Sequence, residues 1–227
     1  MRTSEAQWIG QALARIEGPL LNLGSSTGAF RTQAKPHIDQ HVFAPLRARN
    51  IQIIHADMKD APGVDIVGDV LDPAFQRHLT TLGVRSLLVS NLLEHVSDPQ
   101  AVAQACRLIL PHGGTVCVTG PYDYPYHADP IDTMYRPTPQ EFAELFEGEL
   151  VRGDIIDGGA LRDDVSSLPR YLAQSVWRIA NWPRRPLAAR ARASALPYLL
   201  RPYRISCALI RVHADPERIA GRSQITV

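Results

Sequence analysis

Short runs of apolar residues recur along the first half of the chain, and each ends just before or close to a glycine, asparagine or aspartate. Continuous runs of this kind are typical of strands that are buried on both faces of a parallel sheet. The predicted strands cover residues 20–23, 51–56, 64–67, 84–89 and 115–119. Helices are predicted over 72–82 and 100–110, each preceded by an Asp-Pro pair that suits a first turn. This alternation predicts an α/β fold, a doubly wound Rossmann-like sheet with helices on both faces.

The ends of the chain give weaker patterns. A helix over 4–17 with Ser4 as its cap and a short helix over 29–35 are predicted, whereas 37–50 is ambiguous. Thr138 and Glu141 form a capping box for a helix that reaches about 146. Strands are predicted at 149–156 and 204–212, the second of them antiparallel at the far end of the sheet. One domain over 1–227 is expected, in which 158–203 forms a helical basic cap or an acceptor-side element.

Composition narrows the class of protein only slightly. The 227 residues are 45% hydrophobic with a formal net charge of +1, which gives no general reason to expect nucleic-acid binding. The charge is uneven, because nine arginines and no acidic residue lie between Asp164 and Asp215. The three cysteines are isolated among apolar residues and predict free thiols, with no metal-ligand spacing. Neither a signal peptide nor a membrane span is predicted, and a cytoplasmic location is therefore expected.

The turn after the first strand, in LLNLGSSTGAFR (20–31), is the first candidate for a ligand site. Glycines allow close backbone approach, and ligands bind beyond the carboxyl ends of parallel strands. Asp57 ends the second strand, where a carboxylate can accept hydrogen bonds from both hydroxyls of a ribose. Met58 would lie against an adenine ring, and Asp69 would accept from the adenine amine. These features predict an adenosine cofactor, which NAD and S-adenosylmethionine satisfy equally well.

The segment VSNLLEHVSDPQAVAQACRLILPHGGTVCVTGP resembles the core of the class I S-adenosylmethionine-dependent methyltransferases, in particular the type 11-like subgroup. The resemblance covers about 18–147 and is most specific over 91–114. It implies a methyltransferase sheet and S-adenosylmethionine as cofactor. The implied cofactor-binding residues are Asn22, Gly24, Ser26 and Gly28 around the methionine part, Asp57 and Met58, Asp69 and Val70 at the adenine, and Asn91 and Leu92 beside the sulfonium. Asn22 and Ser26 depart from the acid and the glycine of the family pattern.

The polar loop after the fifth strand is where an acceptor would meet the methyl group. His127 is the candidate base, Asp132 a carboxylate that orients it, and Arg136 a clamp for an anion. Tyrosines 122, 124 and 126 would line the site. The loop is similar to one in methyltransferase-like proteins of glycan biosynthesis, so the expected acceptor is an oxygen or nitrogen of a small molecule or glycan precursor. Glu94 and His95 are interpreted as holding the start of the next helix rather than as catalytic.

Two other functions stay open at this point. A non-catalytic relative that binds a partner on the same scaffold is compatible with the altered turn. A nicotinamide-dependent oxidoreductase is disfavoured, because the chain has no Tyr-x-x-x-Lys pair. The arginine-rich tail suits peripheral contact with an anionic membrane, a cover over the acceptor pocket or an oligomer interface. No nucleic-acid partner is expected.

Overall fold

A computed structural model describes residues 1–127, 131–184 and 186–213. Its centre is a seven-stranded mixed sheet with strand order β3-β2-β1-β4-β5-β7-β6. The strands are β1 (Leu20–Leu23), β2 (Ile53–Asp57), β3 (Ile66–Val67), β4 (Ser86–Ser90), β5 (Thr115–Asp123), β6 (Gly148–Ala160) and β7 (Pro202–Val212). The first five strands pair in parallel, and β7 is antiparallel to both of its neighbours. The predicted fold class and the antiparallel last strand are confirmed.

Helices cover both faces of the sheet. The α-helices are α1 (Thr3–Ala12), α2 (Pro36–Ile38), α3 (Ala44–Ala48), α4 (Pro73–Thr81), α5 (Pro99–Ile109), α6 (Pro139–Leu145), α7 (Leu168–Ala180) and α8 (Pro186–Ala195). One core joins the sheet to α4, α5 and α6, and a second joins it to α1, α2 and α3. No helix of the described residues is long and apolar enough to cross a membrane.

Several predicted boundaries are wrong. Arg2, not Ser4, occupies the cap position of α1, which ends at Ala12, and the hydroxyl of Ser4 donates to the carbonyl of Asp157 at 2.7 Å instead. The ambiguous stretch 37–50 is mostly helical and partly wound as π-helix. The last strand lies between β5 and β6 rather than at the edge, because β6 adds outside it.

Within the segment 158–203, predicted as a helical cap or acceptor-side element, the structure has helices between Leu161 and Leu199. Strand β6 continues to Ala160 and β7 begins at Pro202, so the inserted part is shorter than predicted. Two contacts join it to the segment at the end of β5: the hydroxyl of Tyr198 donates to Asp123 at 2.6 Å, and the N–H of Tyr126 donates to Ser194 at 3.1 Å. The segment therefore lies against the predicted acceptor loop.

Candidate functional site

The predicted cofactor turn lies at the edge where the carboxyl ends of the parallel strands meet. Strand β1 pairs with β2 on one side and with β4 on the other. The turn after β1 touches the segment after β4, since a Cβ atom placed on Gly24 would lie 3.0 Å from a methyl carbon of Leu92. Gly24 has a φ of 68°, which a larger side chain would adopt only with strain.

Asp57 fixes the conformation of this turn. Ser26 adopts a φ of 54°, and its backbone N–H donates to Asp57 Oδ2 at 2.7 Å. The other carboxylate oxygen of Asp57 accepts from the N–H of Lys59 at 3.0 Å. Each carboxylate oxygen has more than one lone pair, so Asp57 can still accept from a ligand. The carboxylate thus combines a structural role with capacity for binding.

Arg31 holds the outer side of the same turn. Its guanidinium, in a side chain that is 5% exposed, donates to the carbonyls of Ser25 and Ser26 at 2.7 Å each and to Gly63 at 2.5 Å. Gly28 packs against Gly63, because a Cβ on Gly63 would lie 2.6 Å from the Cα of Gly28. The sequence did not single out Arg31 or Gly63. The close contact requires glycine at 63, whereas a Cβ on Gly28 would lie 3.3 Å from the Cα of Gly63.

Asn22 has a hydrogen-bond partner on the neighbouring strand. Its amide Nδ2 lies 3.0 Å from His55 Nδ1 on the neighbouring strand. Burial, followed by the charge of Arg31, lowers the pKa of His55 to about 4, so the ring is neutral at pH 7. In the tautomer whose Nδ1 carries no proton, this nitrogen accepts from the Asn22 amide, and in the other tautomer Nδ1 would donate to the amide oxygen.

The other predicted cofactor residues are placed unequally. Met58 is 71% exposed at the rim, and Asp69 is exposed with one carboxylate oxygen accepting from the N–H of Leu71 at 2.9 Å. Val70 is buried in the core. Asn91 has a φ of 49° and turns its amide towards a buried acid rather than into the open edge.

That buried acid is Glu5 of α1, which the sequence analysis missed. Its carboxylate accepts from the amide of Asn91 at 2.6 Å, from the hydroxyl of Thr119 at 2.7 Å and from the N–H of Arg2 at 3.0 Å. Glu5 therefore joins the first helix to the residue that follows β4 and to the middle of β5. A signal was present, since Glu5, Trp8 and Ala12 follow the helical spacing of a buried face.

On the acceptor side, His127 contacts Asp132, and Arg136 joins them. The N–H of His127 donates to Asp132 Oδ2 at 3.0 Å, and its ring Nδ1 lies 3.2 Å from the same oxygen. Arg136 donates to both oxygens of Asp132 at 3.0 and 2.7 Å. Burial alone would raise the pKa of Asp132, but these hydrogen bonds lower it to about 2. Arg136 therefore pairs with Asp132, and it would have to bind a second group to act as the predicted anion clamp.

The tautomer of His127 follows from its partners. Nδ1 faces two acceptors, Asp132 Oδ2 and the carbonyl of Pro125 at 3.3 Å. Neutral imidazole carries one proton, which these acceptors hold on Nδ1, and Nε2 is left as the basic nitrogen. Burial lowers the pKa of His127 below 6.5, despite the opposing effect of Asp132. His127 is therefore neutral at pH 7 and able to accept a proton.

Glu94 and His95 lie beside His127. One potential metal-ligand atom from each of these three side chains lies within 4.8 Å of the other two. Among the described residues, this is the single group of side chains that could hold a metal ion. Glu94 is 1% exposed, and neither of its carboxylate oxygens has a hydrogen-bond partner among those residues. Burial raises the pKa of Glu94 to about 7. His95 binds the carbonyl of Ile131 through Nδ1 at 2.5 Å and directs Nε2 towards Glu94 at 3.7 Å.

This cluster contradicts the interpretation of Glu94 and His95 as supports for the next helix. That helix is capped by Asp98, whose side chain accepts from the N–H of Ala101 at 3.0 Å. The rings of His95 and His127 make an edge-to-face contact with centroids 5.2 Å apart. A neutral imidazole, a second imidazole and an unpartnered carboxyl can together receive and relay a proton.

The predicted tyrosines are covered by the inserted segment and β7. The rings of Tyr124 and Tyr203 stack with their centroids 4.6 Å apart, and the guanidinium of Arg190 lies 4.2 Å from the ring centre of Tyr126. Tyr124 also contacts the ring of His127 at 5.4 Å. The aromatic rings therefore connect the inserted segment to the histidine cluster.

No family model and no curated protein sequence matches the chain. Solved structures do match in fold. The [4+2]-cyclase SpnF superposes with a TM-score of 0.54 at 13% identity, covering 94% of this chain and 81% of its own. A protein from Galdieria sulphuraria assigned as a sarcosine dimethylglycine methyltransferase superposes with a TM-score of 0.53 at 12% identity. The match covers 92% of this chain and 85% of that protein.

A SAM-dependent methyltransferase from Archaeoglobus fulgidus gives a TM-score of 0.50 at 14% identity, covering 91% of this chain and 94% of its own. Because one neighbour is a cyclase and two carry methyltransferase names, the fold by itself does not determine the reaction. The chain has the Rossmann-like fold of S-adenosylmethionine-dependent methyltransferases.

Proposed function

We propose that this protein transfers a methyl group from S-adenosylmethionine to an oxygen or nitrogen of a small molecule or glycan precursor. The observation that carries the proposal is the meeting of two groups at one sheet edge. The turn held by Asp57 lies on one side, and the Glu94, His95 and His127 cluster lies on the other. The first suits an adenosine cofactor and the second suits deprotonation of an acceptor. The likeness of 91–114 to type 11-like methyltransferases supports the same conclusion.

The binding of the cofactor is assigned to residues around the turn. Asp57 accepts from the ribose hydroxyls, and Asp69, Met58 and Val70 lie at the adenine. The backbone near Gly24 faces the methionine part, while Asn91 and Leu92 form the wall beside the sulfonium. Asn22, Ser26 and Gly28 act by fixing the turn, since each is committed to a contact within the protein.

Deprotonation of the acceptor is assigned to His127. When bound, S-adenosylmethionine supplies a methyl group that is already activated, so the protein mainly aligns the acceptor and excludes water. The free Nε2 of His127 takes the proton of an acceptor hydroxyl or ammonium group. Asp132 keeps the ring in the required tautomer and stabilises the imidazolium that forms, and Arg136 holds Asp132 in place. Glu94 and His95 receive the proton afterwards.

Cofactor preference can be tested before the acceptor is known. S-adenosylhomocysteine is expected to raise the melting temperature of the protein, whereas NAD is not, because a ligand bound only by the folded state stabilises it. Asp57→Ala should weaken S-adenosylhomocysteine binding at least about tenfold, the effect of losing hydrogen bonds to a charged acceptor. Differential scanning fluorimetry and calorimetry give the two readouts.

Asp60→Ala is the matched control for this experiment. Asp60 is an exposed acid in the same loop, and its removal changes net charge equally while leaving the turn intact. A shift with NAD and none with S-adenosylhomocysteine would contradict the proposal. Equal affinities for the Asp57 and Asp60 variants would remove Asp57 from the cofactor site.

The role of His127 can be tested by the release of S-adenosylhomocysteine from S-adenosylmethionine with a panel of small hydroxyl and amine acceptors. For any acceptor that the wild type methylates, His127→Gln should lower kcat about hundredfold, the effect of losing a general base. The affinity for S-adenosylhomocysteine should not change. The exposed histidine His112 provides the control His112→Gln. Full activity of His127→Gln would assign the proton transfer elsewhere, and cofactor binding without turnover of any acceptor would favour the non-catalytic alternative.

A further inference from the structure

Helix α7 turns an apolar surface away from its own protein. Of its thirteen described residues, Ser175 alone is buried. Val176 is 70% exposed, Trp177 58% and Leu172 40%. Helices of globular proteins normally bury their apolar face, so exposure on this scale indicates a surface that is covered in another setting.

The apolar and basic residues of α7 occupy different sides of the helix. Successive residues of an α-helix are rotated by about 100° around its axis, so Leu168, Leu172 and Val176 lie within a sector of about 80°. Trp177 lies about 100° beyond Val176, at the border of this apolar half. Arg170, Gln174 and Arg178 fall together in the remaining sector. The chain just beyond the helix continues the exposed apolar surface with Trp182 at 52% and Leu187 at 57%. We call the exposed surface of residues 168–184, 186 and 187 the α7 surface.

The described arginines of this surface have no acidic partner in the part of the chain that the structure describes. Arg170, Arg178 and Arg184 are exposed, and no acidic side chain of the described residues forms an ion pair with them. The sequence has no Asp or Glu between Asp164 and Asp215. Arg190 and Arg192 differ, because their guanidinium groups lie 4.2 Å from the ring centres of Tyr126 and Tyr171. The unpaired charges are thus concentrated beside the exposed apolar residues.

We propose that the α7 surface docks on a membrane containing anionic lipids. Lipid phosphates supply the bidentate acceptors that arginine prefers, and the apolar half would enter the boundary between headgroups and acyl chains. Tryptophan is favoured at that boundary because it presents an apolar body and a polar N–H group. A second copy of the chain is a poorer occupant, since a two-fold contact would bring like-charged, acid-free surfaces together.

The segment that carries the α7 surface also contacts the predicted acceptor loop. Segment 158–203 contacts the acceptor loop through Tyr198–Asp123 and Ser194–Tyr126. Docking on α7 would therefore hold the acceptor loop at the membrane through the same segment of the chain. The proposal does not depend on methyl transfer, because it follows from exposure and charge alone.

The test is cosedimentation of the full chain with phosphatidylcholine vesicles, with and without phosphatidylglycerol. Binding is expected only with phosphatidylglycerol and should weaken as salt increases. Arg170→Gln, Arg178→Gln and Arg184→Gln combined should lower the partition coefficient roughly hundredfold, because each charge near an anionic surface contributes a factor of about five. The control combines Arg15→Gln, Arg77→Gln and Arg85→Gln, which removes the same net charge from exposed positions elsewhere.

A second variant separates insertion from simple charge attraction. Val176→Asp lies on the exposed apolar half and is expected to abolish the blue shift of tryptophan fluorescence on vesicle addition, with no change in melting temperature. Three results would overturn the proposal: no binding to anionic vesicles at low salt, equal loss with the control triple variant, or a concentration-dependent dimer dissociated by Val176→Asp. The effect of S-adenosylhomocysteine on melting temperature is measured in parallel, so failure of docking and failure of the proposed function are distinguishable.

Discussion

Asp132→Asn is expected to lower the free energy of unfolding by about 3 kcal/mol, because it leaves a largely buried arginine without its counter-charge. The side chain of Asp132 has no exposed surface, and that of Arg136 is 12% exposed. Their two parallel hydrogen bonds, at 3.0 and 2.7 Å, form the bidentate geometry in which arginine binds a carboxylate most strongly. Denaturation by urea at pH 7 gives the measurement.

The sign of the pH dependence follows from the lowered pKa of Asp132, about 2 against an ordinary 3.8. A carboxyl whose pKa is depressed by folding stabilises the protein above its ordinary pKa, and this contribution is lost as the pH falls through the folded value. The difference between wild type and Asp132→Asn should therefore be constant above about pH 5 and shrink as the pH falls from about 4 to 2.

Glu149→Gln is the matched control, because Glu149 pairs with Arg211 at 3.2 Å while the two side chains are 59% and 54% exposed. Such surface pairs contribute less than about 1 kcal/mol. Adding Arg136→Met to Asp132→Asn should recover much of the loss, since the buried charge is removed with its partner. A cost for Asp132→Asn no greater than that for Glu149→Gln would contradict the assignment of a buried pair.

The sheet could be predicted because its information is local. Continuous apolar runs such as Leu20–Leu23 and Ser86–Ser90 are buried along almost their whole length, and a strand buried on both faces leaves this pattern whatever its neighbours are. The capping box of Thr138 and Glu141 was predictable for the same reason, since both of its hydrogen bonds span three residues. The start of helix α1 was less predictable, because the side chain of Arg2, at the cap position, makes no capping hydrogen bond. Instead, the backbone N–H of Arg2 donates to the carboxylate of Glu5.

The site could be predicted only in part, because its contacts join distant segments. Asp57 was identified by its position at the end of a strand, but its bond to Ser26 depends on a left-handed backbone that serine rarely adopts. The contact between Glu5 and Asn91 spans 86 positions, and no local pattern indicates which buried group a carboxylate meets. Glu94 was interpreted as holding the start of the following helix, but Asp98 caps that helix.

Glu94→Gln is expected to raise the free energy of unfolding at pH 8 by about 2–3 kcal/mol, because the wild type must bury an ionised carboxylate there. The side chain is 1% exposed, its oxygens lack hydrogen bonds among the described residues, and burial raises its pKa from 4.5 to about 7. When folding raises the pKa of a carboxyl, the folded state binds more protons than the unfolded state between the two values. Stability then falls as the pH rises from about 4.5 to 7.

The gain from Glu94→Gln should therefore be below about 1 kcal/mol at pH 4.5 and reach its full size at pH 8. Glu144→Gln, at an exposed acid, is the control and should show no such pH dependence. If the Glu94 variant is as stable as the wild type at pH 8, the carboxyl is not buried in its charged form. If Glu94→Gln makes the protein more stable but lowers the release of S-adenosylhomocysteine, the buried acid of the wild type costs stability and supports turnover as a proton acceptor.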